Sequence, residues 1–144
     1  MAATREQVMA ALYALGAAAT GFVTASRTLK HVESVNAIEM PAFYQAEGQQ
    51  TAATKYNQPI NWTYSVDWFV YVHMQTGPGT FLASSLNTQI DRLIAALVGP
   101  VDGRPQTLGG LVGDVRVNGT VEVYEGQLDE KAVAIIPIEI HANT

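Results

Sequence analysis

Hydrophobic and polar residues alternate most regularly over residues 60–74. One set of alternating positions in this stretch is apolar or aromatic. The other set changes from polar at Asn61 to aromatic at Phe69. A period of two residues is typical of a β-strand, and about fifteen residues is well above the usual strand length. We therefore expect a central strand with partner strands on its edges and a layer over its apolar face. That face comprises Ile60, Trp62, Tyr64, Val66, Trp68, Val70, Val72 and Met74.

Helical spacing predicts a first helix over residues 4–19. Thr4 and Gln7 have the spacing of a capping box, in which each side chain accepts a hydrogen bond from the other residue's backbone N–H. Positions three and four residues apart then form one apolar stripe that we expect to face a core. The stripe comprises Val8, Ala11, Leu12, Leu15 and Ala19.

A second helix is predicted to begin near Ser84 or Ser85 and to end at Val98, before Gly99 and Pro100. Its outward positions are polar, and its inward positions are apolar. We expect the two helices to cover one face of the sheet together. The apolar stripe of the second helix comprises Leu86, Ile90, Leu93, Ile94 and Leu97.

Three further segments, residues 22–29, 38–45 and 132–141, are predicted to be strands. Pro41 lies inside the second of them, so that strand is either an edge strand or begins after the proline. Pro137 lies inside the third, which predicts that one side of this strand is unpaired or bulged.

Two polar segments are predicted to connect strands. Residues 48–59 show neither helical spacing nor alternation, which indicates a long surface loop that is mobile in the isolated subunit. Such a loop either has a role in partner binding or is a passive connection. Asn118 and Gly119 lie between valine-rich alternating segments, and Asn-Gly favours a hairpin because a type I′ turn needs positive φ at both positions. The elements predict an α+β fold in one domain of residues 1–144. It has a mainly antiparallel or mixed sheet, two helices packed on one face and a projecting hairpin.

Composition favours burial between subunits over binding to nucleic acid. Charged residues make up 15% of the 144 residues, below the usual quarter, so uncharged surface remains to be covered. The net charge of −5 argues against a non-specific grip on nucleic acid. No stretch of eighteen apolar residues indicates a membrane span, and the alanine-rich residues 7–25 lack the features of a secretory signal. We expect no membrane partner.

The sequence contains no recognisable catalytic or metal-binding motif. There are no cysteines, and the three histidines, His31, His73 and His141, match no metal-ligand spacing. No nucleophile motif is present either, so we expect no enzymatic activity and no cofactor. The aromatic residues of the central strand have no flanking basic residues, which favours a core or interface role over base stacking.

The C-terminal third resembles the tail terminator proteins of long-tailed bacteriophages, also called minor tail or tail completion proteins. Residues 107–112, 117–122, 125–126 and 133–138 carry the resemblance, as a pattern of apolar and glycine positions. The earlier order of helix, strand, loop, strand and helix is similar in layout. The tryptophan-rich central strand, the uncharged loop and Glu139 depart from the family pattern.

The resemblance implies a homohexameric ring in the virion, at the head-proximal end of the tail, assembled in the cytoplasm of the bacterial host. Such a ring binds the last ring of the tail tube, stops its polymerisation and presents a surface to the head-completion or connector protein. DNA would pass through it only as cargo. Rings need heterologous contacts between subunits, which exposed strand edges and hairpins provide.

Two sets of residues are the candidates for these contacts. The channel through a DNA-passing ring is expected to be negative, which selects the acidic side chains that follow the predicted hairpin. Those candidate lumen residues are Glu122, Glu125, Asp129 and Glu130. The candidate partner or subunit interface lies in the predicted loop and hairpin turn, at Gln49, Gln50, Thr51, Lys55, Tyr56, Asn57, Asn118 and Gly119.

Two alternatives remain open at this stage. The chain is also compatible with another component of the phage neck or tail tube. A different class, a small-ligand binding module or an enzyme on an α+β sheet, predicts a monomer with a deep polar pocket. The size of the protein in solution separates a ring from that last class.

Overall fold

The chain folds into one mixed sheet with two helices. The structure is a computed structural model that describes residues 3–19, 21–73, 82–98, 106–128 and 131–143. Two single-turn 3-10 helices, Val32–Ser34 and Ala37–Glu39, lie between the first two strands. In chain order the elements are α1 (Arg5–Ala17), β1 (Thr24–Ser26), β2 (Ala42–Ala53), β3 (Asn61–His73), α2 (Leu82–Ala96), β4 (Asp114–Val117), β5 (Glu122–Leu128) and β6 (Lys131–Asn143).

Strand β3 lies at the centre of the sheet, as the long alternation predicts. The strand order is β1-β2-β3-β6-β4, and β5 also pairs with β6. β1 runs parallel to β2, whereas all the other described pairs are antiparallel. The predicted α+β class with a mixed, mainly antiparallel sheet is therefore confirmed. β3 and β6 pair along their whole length, from Asn61 opposite Asn143 to His73 opposite Lys131.

Both helices pack on one face of the sheet, and the expected apolar side of β3 forms the centre of this core. Trp68 is fully buried there, and its ring meets that of Phe43 edge to face at 5.3 Å between centroids. The capping box of Thr4 and Gln7 is present at the start of α1. The buried residues from the helices are Val8, Met9, Leu12, Leu86, Ile90 and Leu93.

Gly16 allows α1 to approach the sheet closely. A Cβ atom at this position would lie 2.5 Å from Cζ of Phe43 and 2.8 Å from Cζ2 of Trp68. These distances are too short for any side chain, so the aromatic pair occupies the space that a larger residue would need. The glycine that weakens helix propensity in the sequence is required by the packing.

A second, smaller core covers part of the other face of the sheet. Val32, Val35 and Met40, from the segment between β1 and β2, pack on Tyr44 and Tyr71. The hydroxyl of Tyr71 donates a 2.6 Å hydrogen bond to the carbonyl of Lys30. Burial, with Tyr44 nearby, raises the pKa of Tyr71 to about 12. This segment explains why the second side of β3 becomes aromatic towards its end.

The predicted loop over residues 48–59 is wrong for its first half, because β2 continues to Ala53. Glu47 pairs with Val66 and Gln50 with Tyr64, so a bulge places Gly48 and Gln49 opposite a single residue. Beyond the bulge β2 is exposed on both faces, which removes the apolar period that identifies a strand. The projecting hairpin of this fold is therefore β2–β3.

Asn118 and Gly119 do not form the predicted hairpin turn. β4 and β5 both pair with β6 on the same side, and residues 118–121 are an interruption between them opposite Ile136 and Pro137. Only Gly119 of the pair has positive φ, at 124°, whereas a type I′ turn needs two such residues. The expectation that Pro137 lies beside a bulge is confirmed.

Several element boundaries also differ from the predictions. β1 spans only Thr24–Ser26, and the strand predicted over residues 38–45 begins after Pro41, at Ala42. α2 begins at Leu82, so neither Ser84 nor Ser85 precedes it as a cap. The predicted helix stop at residues 99–100 lies outside the described residues.

Candidate assembly surfaces

About half of the sheet face opposite the helices belongs to neither apolar core, and we call it the open face. Its rows run across four strands: Thr51 pairs with Thr63, Thr63 with His141, and His141 with Asp114. These side chains are exposed or half-buried. The open face comprises Thr51, Thr63, Ser65, Asp67, Asp114, Arg116, Glu122, Tyr124, Pro137, Glu139 and His141.

The open face carries more acidic than basic groups. Arg116 forms an ion pair with Asp114, and the hydrogen bond from this guanidinium lowers the pKa of Asp114. His141 Nε2 lies 2.7 Å from Glu139 Oε1. Asp67 has no basic neighbour of this kind among the described residues; burial and the Glu122 carboxylate raise its pKa.

The structure places one of the four predicted lumen residues on the open face. Glu122 is exposed there, across β6 from Asp67, and its carboxylate contributes to the raised pKa of Asp67. Glu125 lies within β5, but its side chain is not among those described, and Asp129 and Glu130 lie outside the described residues. Whether these residues line a channel stays a prediction.

Sequence reasoning missed three acidic residues of the same face, Asp67, Asp114 and Glu139. Asp67 stood on the polar side of the central alternation, which was the available signal. The pairing of β4 with β6 and of β6 with β3 is needed to bring the other two onto the same face, and these pairings join segments that are far apart in the sequence.

Six of the eight predicted interface residues come together on the β2–β3 hairpin. Gln49, Gln50 and Thr51 are exposed on β2, while Lys55, Tyr56 and Asn57 form the turn at its end. Tyr56 is 92% exposed, the largest value among the exposed large hydrophobic residues of the described chain. An aromatic side chain in this position is typical of a contact residue that a partner buries.

The base of this hairpin is tied to helix α1. Arg5 Nε donates a 2.8 Å hydrogen bond to Gln50 Oε1, and its guanidinium lies over the Trp62 ring at 4.4 Å from the centroid. Arg27 pairs with both Glu6 and Glu47. These contacts hold the base of the hairpin against α1. They thereby fix the direction in which its exposed end projects from the sheet.

The remaining two predicted interface residues lie on the opposite margin of the sheet. Asn118 N–H donates to the Pro137 carbonyl at 3.1 Å, and the Asn118 amide donates to the Glu139 carboxylate. A Cβ on Gly119 would lie 3.2 Å from Cγ of Pro137. The structure therefore separates Asn118 and Gly119 from the β2–β3 hairpin by β6.

An apolar groove of about 550 Å³ lies between the helices and the segment before β4. Small side chains line it, and Gln106 supplies its amide. The described lining residues include no ionisable group, and the described part of the chain contains no cluster that could hold a metal ion. None of the described helices has the length and apolar character required to span a bilayer.

Comparisons with known proteins identify the fold. No family model and no curated protein sequence matches the chain. A solved structure described as "Virion of native gene transfer agent (GTA) particle" contains a chain similar in fold. The TM-score is 0.57 at 11% identity, and the alignment covers 95% of each chain. At this identity the similarity shows a shared fold over nearly the full length.

Proposed function

We propose that the chain is a structural virion protein, a tail terminator that forms a ring on the tail tube. The ring stops polymerisation of the tube and provides the joining surface for the head connector. Two findings support this role: the C-terminal sequence resemblance to tail terminators, and the full-length similarity in fold to a chain of a gene transfer agent virion. The protein then acts by recognition and shape, without chemistry.

The observation that carries the proposal is the acidic part of the sheet that neither apolar core covers. Both helices pack on one face, and the opposite face leaves Asp67, Glu122 and Glu139 accessible. In a ring with the helices outward, this acidic open face would line the channel. Acidic walls repel the phosphate backbone, so DNA passes through as cargo without being held.

The β2–β3 hairpin supplies contacts to the partners. Its turn carries Tyr56, which is exposed and uncharged, beside Lys55 and Asn57. We assign this tip to the tail tube protein or the connector, and the margin at Asn118 and Gly119 to a neighbouring subunit. The ring occupies the head-proximal end of the tail and assembles in the bacterial host cytoplasm.

Tail tubes assembled from purified tube protein test the proposal. The chain is added to growing tubes, and the products are imaged by negative staining while tube length is measured. We expect a ring at one end of each tube and an end to elongation. Tubes that keep growing with no density at either end reject the terminator role.

A variant pair sharpens this experiment. Tyr56→Ala removes the exposed ring from the hairpin tip, and Asn87→Ala removes another exposed side chain, from α2 on the helix-covered side of the sheet. We expect Tyr56→Ala to weaken binding to the tube end about tenfold or more, as loss of a central aromatic contact does. Asn87→Ala should bind as the native chain does.

The same images separate the remaining candidate within the virion. A neck or tail-tube component would add along the tube or extend it, whereas a terminator occupies one end only. The uncovered open face favours a ring for both candidates. The position of the density on the tube therefore decides between a terminator and a neck or tail-tube component.

A further inference from the structure

The outer edge of β2 is unpaired over most of its length. β1 covers only Ala42, Phe43 and Tyr44, and no other described strand lies against the outer side of residues 46–53. Glu47 is the single charged residue there, and Arg27 binds it at 3.0 Å. The segment contains no lysine and no proline. Natural edge strands use charges, prolines and bulges to prevent pairing. Here the bulge at Gly48 and Gln49 and the charge of Glu47 lie at the start of the free segment, and residues 50–53 contain none of these devices, so the edge beyond the bulge is suited to accept another strand.

The opposite margin of the sheet also ends in a free edge. β5 pairs with β6 on one side, and the described residues provide no strand on its other side. Val123 and Tyr124 are adjacent, point to opposite faces, and are 40% and 41% exposed. β4 is protected, because Val115 N–H donates to the Gln106 carbonyl at 2.9 Å. The free part of this margin is therefore β5.

The directions of the two free edges are complementary. β2 and β6 are both antiparallel to β3, so they run in the same direction. β5 is antiparallel to β6 and hence to β2. When copies stand side by side with helices on the same face, β2 of one copy meets β5 of the next in antiparallel orientation, the better-aligned pairing.

The two free edges are also staggered along the strands. Through β6 and β3, Glu122 and Tyr124 lie level with Tyr44 and Ala42, whereas the free part of β2 begins beyond Tyr44. Joining the edges therefore shifts each copy along the strand direction. A sheet that closes on itself needs such a shift between its strands, so the stagger is compatible with a ring.

We infer that residues 46–53 of one copy pair antiparallel with β5 of the next copy, so that the sheets of all subunits join. The inference rests on the proposed function and specifies its subunit contact. The contact is heterologous, with different edges on its two sides, which permits ring closure. It keeps every open face on the same side of the joined sheet.

Disulfide cross-linking tests this contact, because the native chain contains no cysteine. Thr51 and Tyr124 lie on the same face of the sheet, so Thr51→Cys combined with Tyr124→Cys places thiols on facing strands of adjacent copies. Thr51→Cys with Glu122→Cys covers a register two residues away. The matched control is Thr51→Cys with Val123→Cys, since Val123 is equally exposed but points to the other face.

After mild oxidation, we expect the same-face pairs to give chains linked in series, at about ten times the yield of the control pair, because a disulfide forms only over a short Cα separation. The four single variants should remain unlinked. The experiment is done on the chain alone and on capped tubes. Equal yields from the control, no linkage in either sample, or dimers of Thr51→Cys alone would overturn the inference.

Imaging of the same samples separates this inference from the proposed function. Tubes that are capped although the same-face pairs fail to link reject the strand pairing and leave the terminator role in place. Linked chains that form no cap on tubes support the strand pairing and reject the terminator role.

Discussion

The indole Nε1 of Trp68 donates a 3.0 Å hydrogen bond to Oε1 of Gln45, and Gln45 Nε2 donates a 2.9 Å hydrogen bond to the carbonyl of Met9. Gln45 is 1% exposed and is the single buried polar residue of the described chain. It joins β2, β3 and α1 at the centre of the core. The side-chain amide of Gln45 thus links β3 to α1.

Gln45→Leu tests that connection. The substitution keeps the volume but leaves the buried indole N–H of Trp68 without an acceptor, so we expect a loss of about 1–3 kcal/mol in the free energy of unfolding. Urea denaturation measures it. Gln49→Leu, on the exposed part of the same strand, should change stability by less than about 0.5 kcal/mol. Equal effects of the two variants would show that the amide has no special role.

The two tryptophans of β3 should differ sharply in their contribution to stability. Trp68 is fully buried, and Trp68→Ala is expected to cost about 3–5 kcal/mol. Trp62 is half-buried beneath the Arg5 guanidinium, and Trp62→Ala should cost about 1–2 kcal/mol. Both values come from denaturant titrations followed by circular dichroism. A cost below about 1 kcal/mol for Trp68→Ala would place the core on the wrong side of β3.

Gly16→Ala is expected to destabilise the protein although alanine favours helices. The added methyl group would overlap Phe43 and Trp68, and overpacking of a core costs about 1–3 kcal/mol. Gly21→Ala is the control, because a Cβ there meets no atom within 4 Å. Thermal unfolding compares the two variants. A rise in melting temperature for Gly16→Ala would contradict the close packing of α1.

Asp67→Asn should stabilise the isolated chain at neutral pH. The pKa of Asp67 is raised by burial and then by Glu122, so the folded state binds this proton more tightly than the unfolded state does. Stability of the native chain therefore falls as pH rises from the ordinary aspartate pKa through the raised folded value. Asparagine cannot ionise, so the Asp67→Asn variant does not lose stability in this way as the pH rises.

Unfolding free energies of both chains over a pH series provide the measurement. The gain from Asp67→Asn should be present above the raised pKa of Asp67 and should vanish below the ordinary aspartate pKa. Asp91→Asn, on the exposed side of α2, is a control of the same chemistry. A stabilisation by Asp67→Asn that is independent of pH would show that another property of the asparagine is responsible.

The sequence predicts those elements whose two sides differ. β3 and the helices α1 and α2 have one buried and one exposed side, so their periods of two and about 3.6 residues are visible in the residue pattern. The capping box at Thr4 was predicted for the same reason, since it depends on residues three apart. Local signals of this kind need no knowledge of the rest of the chain.

Elements defined by distant contacts were not predictable. Residues 48–53 are exposed on both sides, so nothing in their pattern shows that Gln50 pairs with Tyr64. Asn118 and Gly119 give the same local signal whether they turn a hairpin or interrupt an edge strand beside Pro137. The open face likewise depends on the register of four strands, which brings Asp67 and Glu122 together.

The proposed function requires that copies of the chain join into a closed ring. Native mass spectrometry of the chain released from capped tail tubes measures this most directly. We predict a single closed assembly of six times the 15.5 kDa chain mass. Release of monomers alone under conditions that preserve the tube rings would contradict the proposed ring. A ladder of assemblies of increasing size, with no single closed species, would contradict it as well.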